Sequence, residues 1–378
     1  MSASVAIVAG AIGNKAGNGG ASWTRLSWAR GLADLGFTVH FVEQLSPTAP
    51  ARAEAYFGQV MGAFGMEDGS TLLRADGTTA AGLAVGELGD LASEAVLLLN
   101  ISGHLALPEV VDRVRTRVFV DLDPGFTQIW EATGNGAANL AGHDHWFTVG
   151  ENIGKGDCLV PTSGRPWRPI RQPVVLADWP VVAPAPSDPF RFTTVASWRG
   201  PYGPVEHGGR TFGVKAHQFR RFLELPRRAP GAYELALEIH PADGKDRAAL
   251  EEHGWWLVGT DRAADPAAFR GYVRGSGAEF SVAQSVYVDT ASGWFSDRTV
   301  RYLASGRPAL VQDTGFSRNY PTGEGLLRFS TLDEAVAGAA SVVDDYERHC
   351  RSARALAEEW FSAEWVLGRL CEEVGVAP

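Results

Sequence analysis

The sequence predicts an α/β protein of two domains, and three observations carry the prediction. The opening runs strand, glycine-rich loop, helix and strand, the βαβ order of a Rossmann-type unit. Strand and helix patterns resume after a proline-rich stretch near the middle. The 378 residues, 45% hydrophobic and 21% charged, suffice for two domains, each with its own core.

In chain order, Val5 to Ala9 reads as a buried strand, GAIGNKAGNGGAS as a loop, and Ser22 as the cap of a helix with Trp28, Leu32 and Leu35 on one face. Gly36 ends that helix, and Phe37 to Val42 is the second strand. Gly17 to Ser22 nearly fits GxGxxG, and Glu43 lies about twenty residues on, where a nicotinamide enzyme keeps its ribose-binding acid. Ser22 replaces the third glycine, however, and the loop leaves its strand too early for that tight turn. Residues 49–89 carry helix and loop patterns with little readable chemistry. Ala95 to Asn100 is a strand that ends near His104, and Arg117 to Leu122 is another, ending in Asp121 and Asp123. Alternation puts the two acids on one side, where they can bind hydroxyls or orient a histidine; Asp123 alternatively caps a turn. His143 and His145 form an HxH, a weak metal signal without further ligands at a recognisable spacing. His145, just before the strand WFTVG, reads better as a polar residue lining a cleft.

The prolines of residues 161–189 mark an extended connection, with a hinge expected near Asp178 to Asp188. The second domain then offers strands at Phe192 to Ser197, Tyr233 to His240, Trp255 to Val258, Glu279 to Ala283 and Ala309 to Gln312. A long loop and basic helix follow the first of these, and helices occupy Leu332 to Val343 and Asp344 to Leu370. In the stretch from Ser292 to Leu327, Ser296 caps a short helix that starts at Asp297 and ends before Gly306 and Pro308. The strand after it empties into a glycine-rich turn carrying Glu324. Such an order suits a ligand-binding α/β unit.

SGWFSDR, YLASGRP, QDTGF and PTGEGL, with FTVGENIG, PWRPIRQPVV and DYERHCRSARALAEEWF, resemble a bacterial glycosyltransferase family of GT-B architecture over most of the chain. The resemblance implies two facing Rossmann-like domains, an acceptor domain over 1–180 and a donor domain over 181–358, with 359–378 crossing back to the first. It implies a nucleoside-diphosphate sugar as co-substrate and no other cofactor. Arg199 and Lys215 match the arginine and lysine that hold the diphosphate, with Arg210 competing for the arginine's place. Arg298 and the helix capped by Ser296 and begun by Asp297 complete the phosphate end, and Glu324 matches a ribose-binding acid. His104 with Asp121 or Asp123 is the expected general base pair. Gly19, Gly20, Asp123 and His145 are the expected acceptor contacts. Two departures stand out. Gln284 replaces a frequent lysine, and Gly293 and Arg301 occupy the places of the paired glutamates of retaining relatives, so the stereochemistry stays open.

The formal charge of −10, from 34 basic and 44 acidic residues, argues against nucleic acid or an anionic membrane as main partner. Cys158, Cys350 and Cys371 show no metal spacing and suit free thiols in a reducing cytoplasm. No apolar run approaches a membrane span, and the reading is cytoplasmic and metal-independent, with oligomeric state undetermined. Rival readings are a nucleotide-sugar epimerase on the same fold, a non-catalytic GT-B partner subunit and an NAD-dependent oxidoreductase.

Overall fold

The computed structural model describes residues 3–136, 138–183 and 189–378. The first sheet contains β1 (Val5–Ala9), β2 (Thr38–Gln44), β3 (Ser70–Leu73), β4 (Thr79–Ala81), β5 (Leu97–Ile101), β6 (Arg117–Asp121), β7 (His145–Thr148) and β8 (Arg168–Pro169). Their order in space is β4-β3-β2-β1-β5-β6-β7-β8, parallel throughout except between β3 and β4. The second domain begins with β9 (Arg191–Ser197). A hairpin of β10 (Val205–His207) and β11 (Arg210–Phe212) follows. Then come β12 (Ala232–Glu238), β13 (Trp255–Val258), β14 (Ala278–Ser281), β15 (Ala309–Gln312) and β16 (Leu326–Phe329). The second sheet runs β13-β12-β9-β14-β15-β16, all parallel.

The central strands are near-continuous apolar runs because helices cover both faces of each sheet. Ala6 and Val8 of β1 face one buried cluster, Ile7 and Ala9 the other. Sequence order reverses in space between β1 and β5 in one sheet and between β9 and β14 in the other. At such switch points the loops leaving neighbouring strands diverge and open a crevice beyond the carboxyl ends. The loop after β1 and His104 after β5 border the first crevice; residues 199–214 and Gln284 border the second.

The sequence patterns missed β3 and β4 within residues 49–89 and the hairpin within the supposed long loop. The tail is three helices, Leu332–Asp344, Tyr346–Phe361 and Ala363–Val374. The last returns to the first domain and packs on the helix Gly19–Asp34, where a Cβ at Gly31 would meet Leu367 and Ala363 at 2.5 and 2.8 Å. Glycine there permits the close approach. Part of the expected hinge, residues 184–188, lies outside the described residues; Asp178 pairs with Arg30 of the first helix at 2.9 Å.

Candidate active site between the two sheets

The first wall starts from Glu43 at the end of β2. Its buried carboxylate accepts hydrogen bonds from the backbone N–H groups of Ile12, Gly13 and Asn14 at 2.8–2.9 Å and from the Asn14 amide at 2.9 Å. It therefore braces the loop after β1, which removes the ribose-binding role that a nicotinamide enzyme would give it. The braced loop carries Lys15, and the following helix carries Arg25, only 6% exposed. Arg25 Nη1 reaches the Ala21 carbonyl at 3.4 Å, while Nε has no partner among the described residues. Burial lowers the pKa of both cations, and Asp123 and Asp297 oppose that shift. His104 stands beside them. Burial, then the charges of Arg25 and Lys15, push its imidazole down to about 3, so it is neutral at physiological pH.

The second domain supplies the opposite wall. Lys215 opens the helix Lys215–Phe219 behind the hairpin, and no hydrogen-bond or ion-pair partner meets its ammonium among the described residues. Burial and then Arg298 lower its pKa to about 7, against the pull of Glu279 and Asp297. Asp297 thus acts on Lys15, Arg25 and Lys215 alike, so cations from both domains converge around one helix start. Its carboxylate accepts from Thr24 Oγ1 at 2.5 Å across the cleft and pairs with buried Arg301 at 3.7 Å. Nearby, Asp123 accepts from the hydroxyls of Tyr202 and Tyr287 at 3.3 and 3.4 Å. Its charge is the first cause of the raised Tyr202 pKa, with burial second. Tyr202 also packs on Phe126 and Trp130, and Tyr287 stacks on Trp294 at 4.4 Å, giving the cleft an aromatic side.

Several expected contacts are placed differently. Asn18, not Ser22, caps the first helix, accepting from Ala21 N at 2.9 Å. Gly19 and Gly20 belong to that helix's first turn and are buried against the second domain. A Cβ on Gly19 would lie 2.0 Å from the Asp265 carbonyl, and one on Gly20 2.9 Å from the Phe269 ring. They serve domain contact rather than an open acceptor loop. Asp121 is fully buried and accepts from Thr127, Gln128, Thr148 and Asp123 N at 2.6–3.0 Å. Burial raises it to about 6, but no hydrogen bond joins it to His104, so the expected pair is not formed. His145 begins β7 and so lies at the amino end of the sheet, away from the cleft, beside Asp144, Arg168 and Glu373. His143 is buried on Asn100 and Leu140, and no group of three metal-binding side chains occurs among the described residues.

On the donor side, Arg199 follows β9 as expected, but its fork holds Asp243 at 2.8 and 2.9 Å. Arg298 points into the sheet: it donates to Glu279 at 2.7 Å, the Val195 carbonyl at 2.9 Å and Ser281 at 2.7 Å. Ser296 is buried and accepts from Arg298 N at 3.3 Å, as a cap should. Asp297 already occupies the positive end of that helix, which leaves Lys215, Lys15 and Arg25 as the cations for a phosphate. Glu324 is the largest correction. Ala309, the first residue of β15, donates to the Gly325 carbonyl at 2.9 Å, so the turn sits at the amino end of β15 and β16. The exposed Glu324 carboxylate there pairs with Arg348 and accepts from Ser352 at 3.3 Å. It faces the tail helix, away from the cleft.

Lys15, Arg25, Tyr202 and Tyr287 were not singled out from the sequence. Only Arg25 left a usable signal. It precedes Trp28 by three and Leu32 by seven residues, a charge on the apolar face of its helix.

No protein-family model and no curated protein matches the chain. Solved structures do. HepE of Anabaena, in complex with UDP and glucose, matches with a TM-score of 0.61 at 11% identity, over 98% of this chain and 99% of its own. Sucrose-phosphate synthase of Thermosynechococcus elongatus gives 0.55 at 12%, over the same shares. An α-glucosyltransferase in complex with UDP and a 13-mer DNA gives 0.60 at 9%, over 99% of this chain and all of its own. The chain has the GT-B fold.

Proposed function

We propose that the chain is a glycosyltransferase that moves a sugar from a nucleoside-diphosphate sugar to a hydroxyl of a small-molecule or glycan acceptor. One observation carries the reading: cations of both domains, Lys15, Arg25 and Lys215, converge on a cleft at the strand ends of a GT-B fold, and none of the three is held in an ion pair by a carboxylate among the described residues. A diphosphate supplies the direct partner these cations lack, and fixed cations in a poorly hydrated site stabilise the same group as it leaves with an extra negative charge. UDP or UDP-glucose in the structural neighbours supports a nucleotide sugar as donor.

On the acceptor side, the Asp123 carboxyl between Tyr202 and Tyr287 is an acceptor for sugar hydroxyls. His104 is neutral, the form a general base requires, but burial and then the nearby cations keep it weak. Donor phosphate would offset those cations and strengthen the imidazole when it is needed. Leaving-group stabilisation by Lys215, Lys15 and Arg25 supports metal-independent transfer. The net charge of −10 favours a glycan or small molecule over nucleic acid as acceptor, although the α-glucosyltransferase neighbours include three complexes with DNA. A thermal-shift screen tests the donor: a nucleoside diphosphate or its sugar at 100 times its Kd stabilises by about 2.7 kcal/mol. Stabilisation by NAD alone would overturn the proposal.

A further inference from the structure

Residues 200–213 leave the end of β9, fold into the β10–β11 hairpin and return to Lys215, whose backbone N–H meets the Arg199 carbonyl at 3.4 Å. Ends that meet make this an Ω-loop, a unit that can swing without disturbing the strand before it or the helix after it. Gly200 at its base has φ +83°, and a Cβ there would lie 2.2 Å from Gln284 Oε1. The hairpin pairs within itself, and its turn at Gly208 and Gly209 is exposed. Past the base, two hydrogen bonds tie the loop to other elements among the described residues. Tyr202 donates to Asp123 of the first domain at 3.3 Å, and Gln284 Nε2 donates to the Tyr202 carbonyl at 3.2 Å. The other ties are apolar: Tyr202 lies against Phe126 and Trp130, and buried Phe212 shares a cluster with Phe126 and Ile129 of the first domain and Val286 and Tyr287 of the second.

We propose that residues 200–213 are a lid over the cleft, latched to the first domain by Tyr202, whose hydroxyl holds on Asp123 the place that an acceptor hydroxyl takes during transfer. The lid starts beside Arg199, ends at Lys215 and reaches Asp123, so it touches the donor side and the acceptor side at once. Its latch is made to exchange. An O–H···O bond is best near about 2.7–2.8 Å, whereas Asp123 receives Tyr202 and Tyr287 at 3.3 and 3.4 Å. A sugar hydroxyl free to approach closer displaces the phenol. Until then the lid keeps from Asp123 the water that would attack a bound donor in the acceptor's stead. The latch follows from contacts alone; the place-holding rests on the sugar-transfer reading.

Hydrogen exchange followed by mass spectrometry on the full chain tests the latch. A two-stranded hairpin freed from its packing has little stability of its own, so its amides report each lifting of the lid. Tyr202→Phe keeps the ring and removes one hydrogen bond, and exchange across residues 202–213 should run roughly 2- to 12-fold faster, with β9 and β12 unchanged. Tyr202→Ala, which also loses the ring contacts, should run faster still. Unchanged exchange in both variants, or acceleration spread over the whole second domain, would overturn the latch. The place-holding is read from product. With nucleoside-diphosphate sugars and no acceptor, Tyr202→Phe should release free sugar and nucleoside diphosphate several-fold faster than wild type, and equal release would overturn it. Failure of the wild type to transfer from any donor to any acceptor would overturn the sugar-transfer reading and the place-holding with it, while the exchange result decides the latch by itself.

Discussion

Diphosphate binding should draw a proton onto Lys215. In the free protein burial and Arg298 hold this ammonium at a pKa of about 7, against an ordinary 10.5, so near pH 7 it is about half charged. A bound diphosphate favours the charged form and returns the pKa toward its ordinary value. Above pH 7, then, each diphosphate that binds must bring a proton with it. Linkage makes UDP affinity fall about 15-fold between pH 7.0 and 8.5, while proton uptake rises from about 0.5 to nearly 1 per site. Isothermal titration calorimetry in buffers of different ionisation enthalpy measures both. Lys215→Arg stays charged and should abolish the slope; Lys215→Met should abolish it and weaken UDP by about 1.5–3 kcal/mol, roughly 10- to 150-fold. The same shift has the opposite effect on the free protein. A lysine whose folded pKa lies below its unfolded value binds fewer protons when folded, so its contribution to stability rises with pH between about 7 and 10.5. Lys215→Met should therefore raise the Tm of the free protein at pH 7. A UDP affinity independent of pH over this range, or an equal slope in Lys215→Met, would show that Lys215 takes up no proton on binding.

Three other substitutions probe the cleft and its surroundings. Gly19→Ala places a Cβ 2.0 Å from the Asp265 carbonyl, and overpacking of about 1–3 kcal/mol should lower Tm in calorimetry; an unchanged Tm would mean that the domains are not packed this way in solution. Glu324→Gln, far from the cleft, should leave UDP affinity within about twofold of wild type, as for other exposed ion pairs; a larger loss in titration would return Glu324 to the donor site. His104→Ala should lower turnover by about 10²-fold or more with UDP affinity unchanged, and normal turnover in a kinetic assay would remove the imidazole from the reaction.

The fold was legible because strand patterns such as those of β13 and β15 are short apolar runs bounded by glycine, proline or polar residues, and those signals are local. Helix starts were less so. Ser22 and Asn18 are both good caps, and the choice was made by Gly19 and Gly20, which the close approach of Asp265 and Phe269 draws into the helix. The site was harder still, because a motif fixes a residue's place along the chain and not the end of the sheet it faces. Glu324 lies in a tight glycine turn, as read, but the turn enters β16 rather than leaving β15. His145 fails similarly, opening its strand instead of closing it. Arg298 and Arg199 have the right positions, yet Glu279 and Asp243, distant in sequence, take their donors. Lys215, which the resemblance matches to a phosphate-binding lysine, keeps its ammonium without a hydrogen-bond or ion-pair partner among the described residues.

Sugar transfer itself can be read by mass spectrometry of one reaction mixture. The chain is incubated with a panel of nucleoside-diphosphate sugars and a hydroxyl-bearing acceptor library containing mono- and oligosaccharides. The expected outcome is an acceptor product heavier by one glycosyl residue, an equal release of nucleoside diphosphate, and a fall in both in Lys215→Met. Conversion of the donor to its epimer without acceptor, or donor binding with no product from any acceptor, would contradict it.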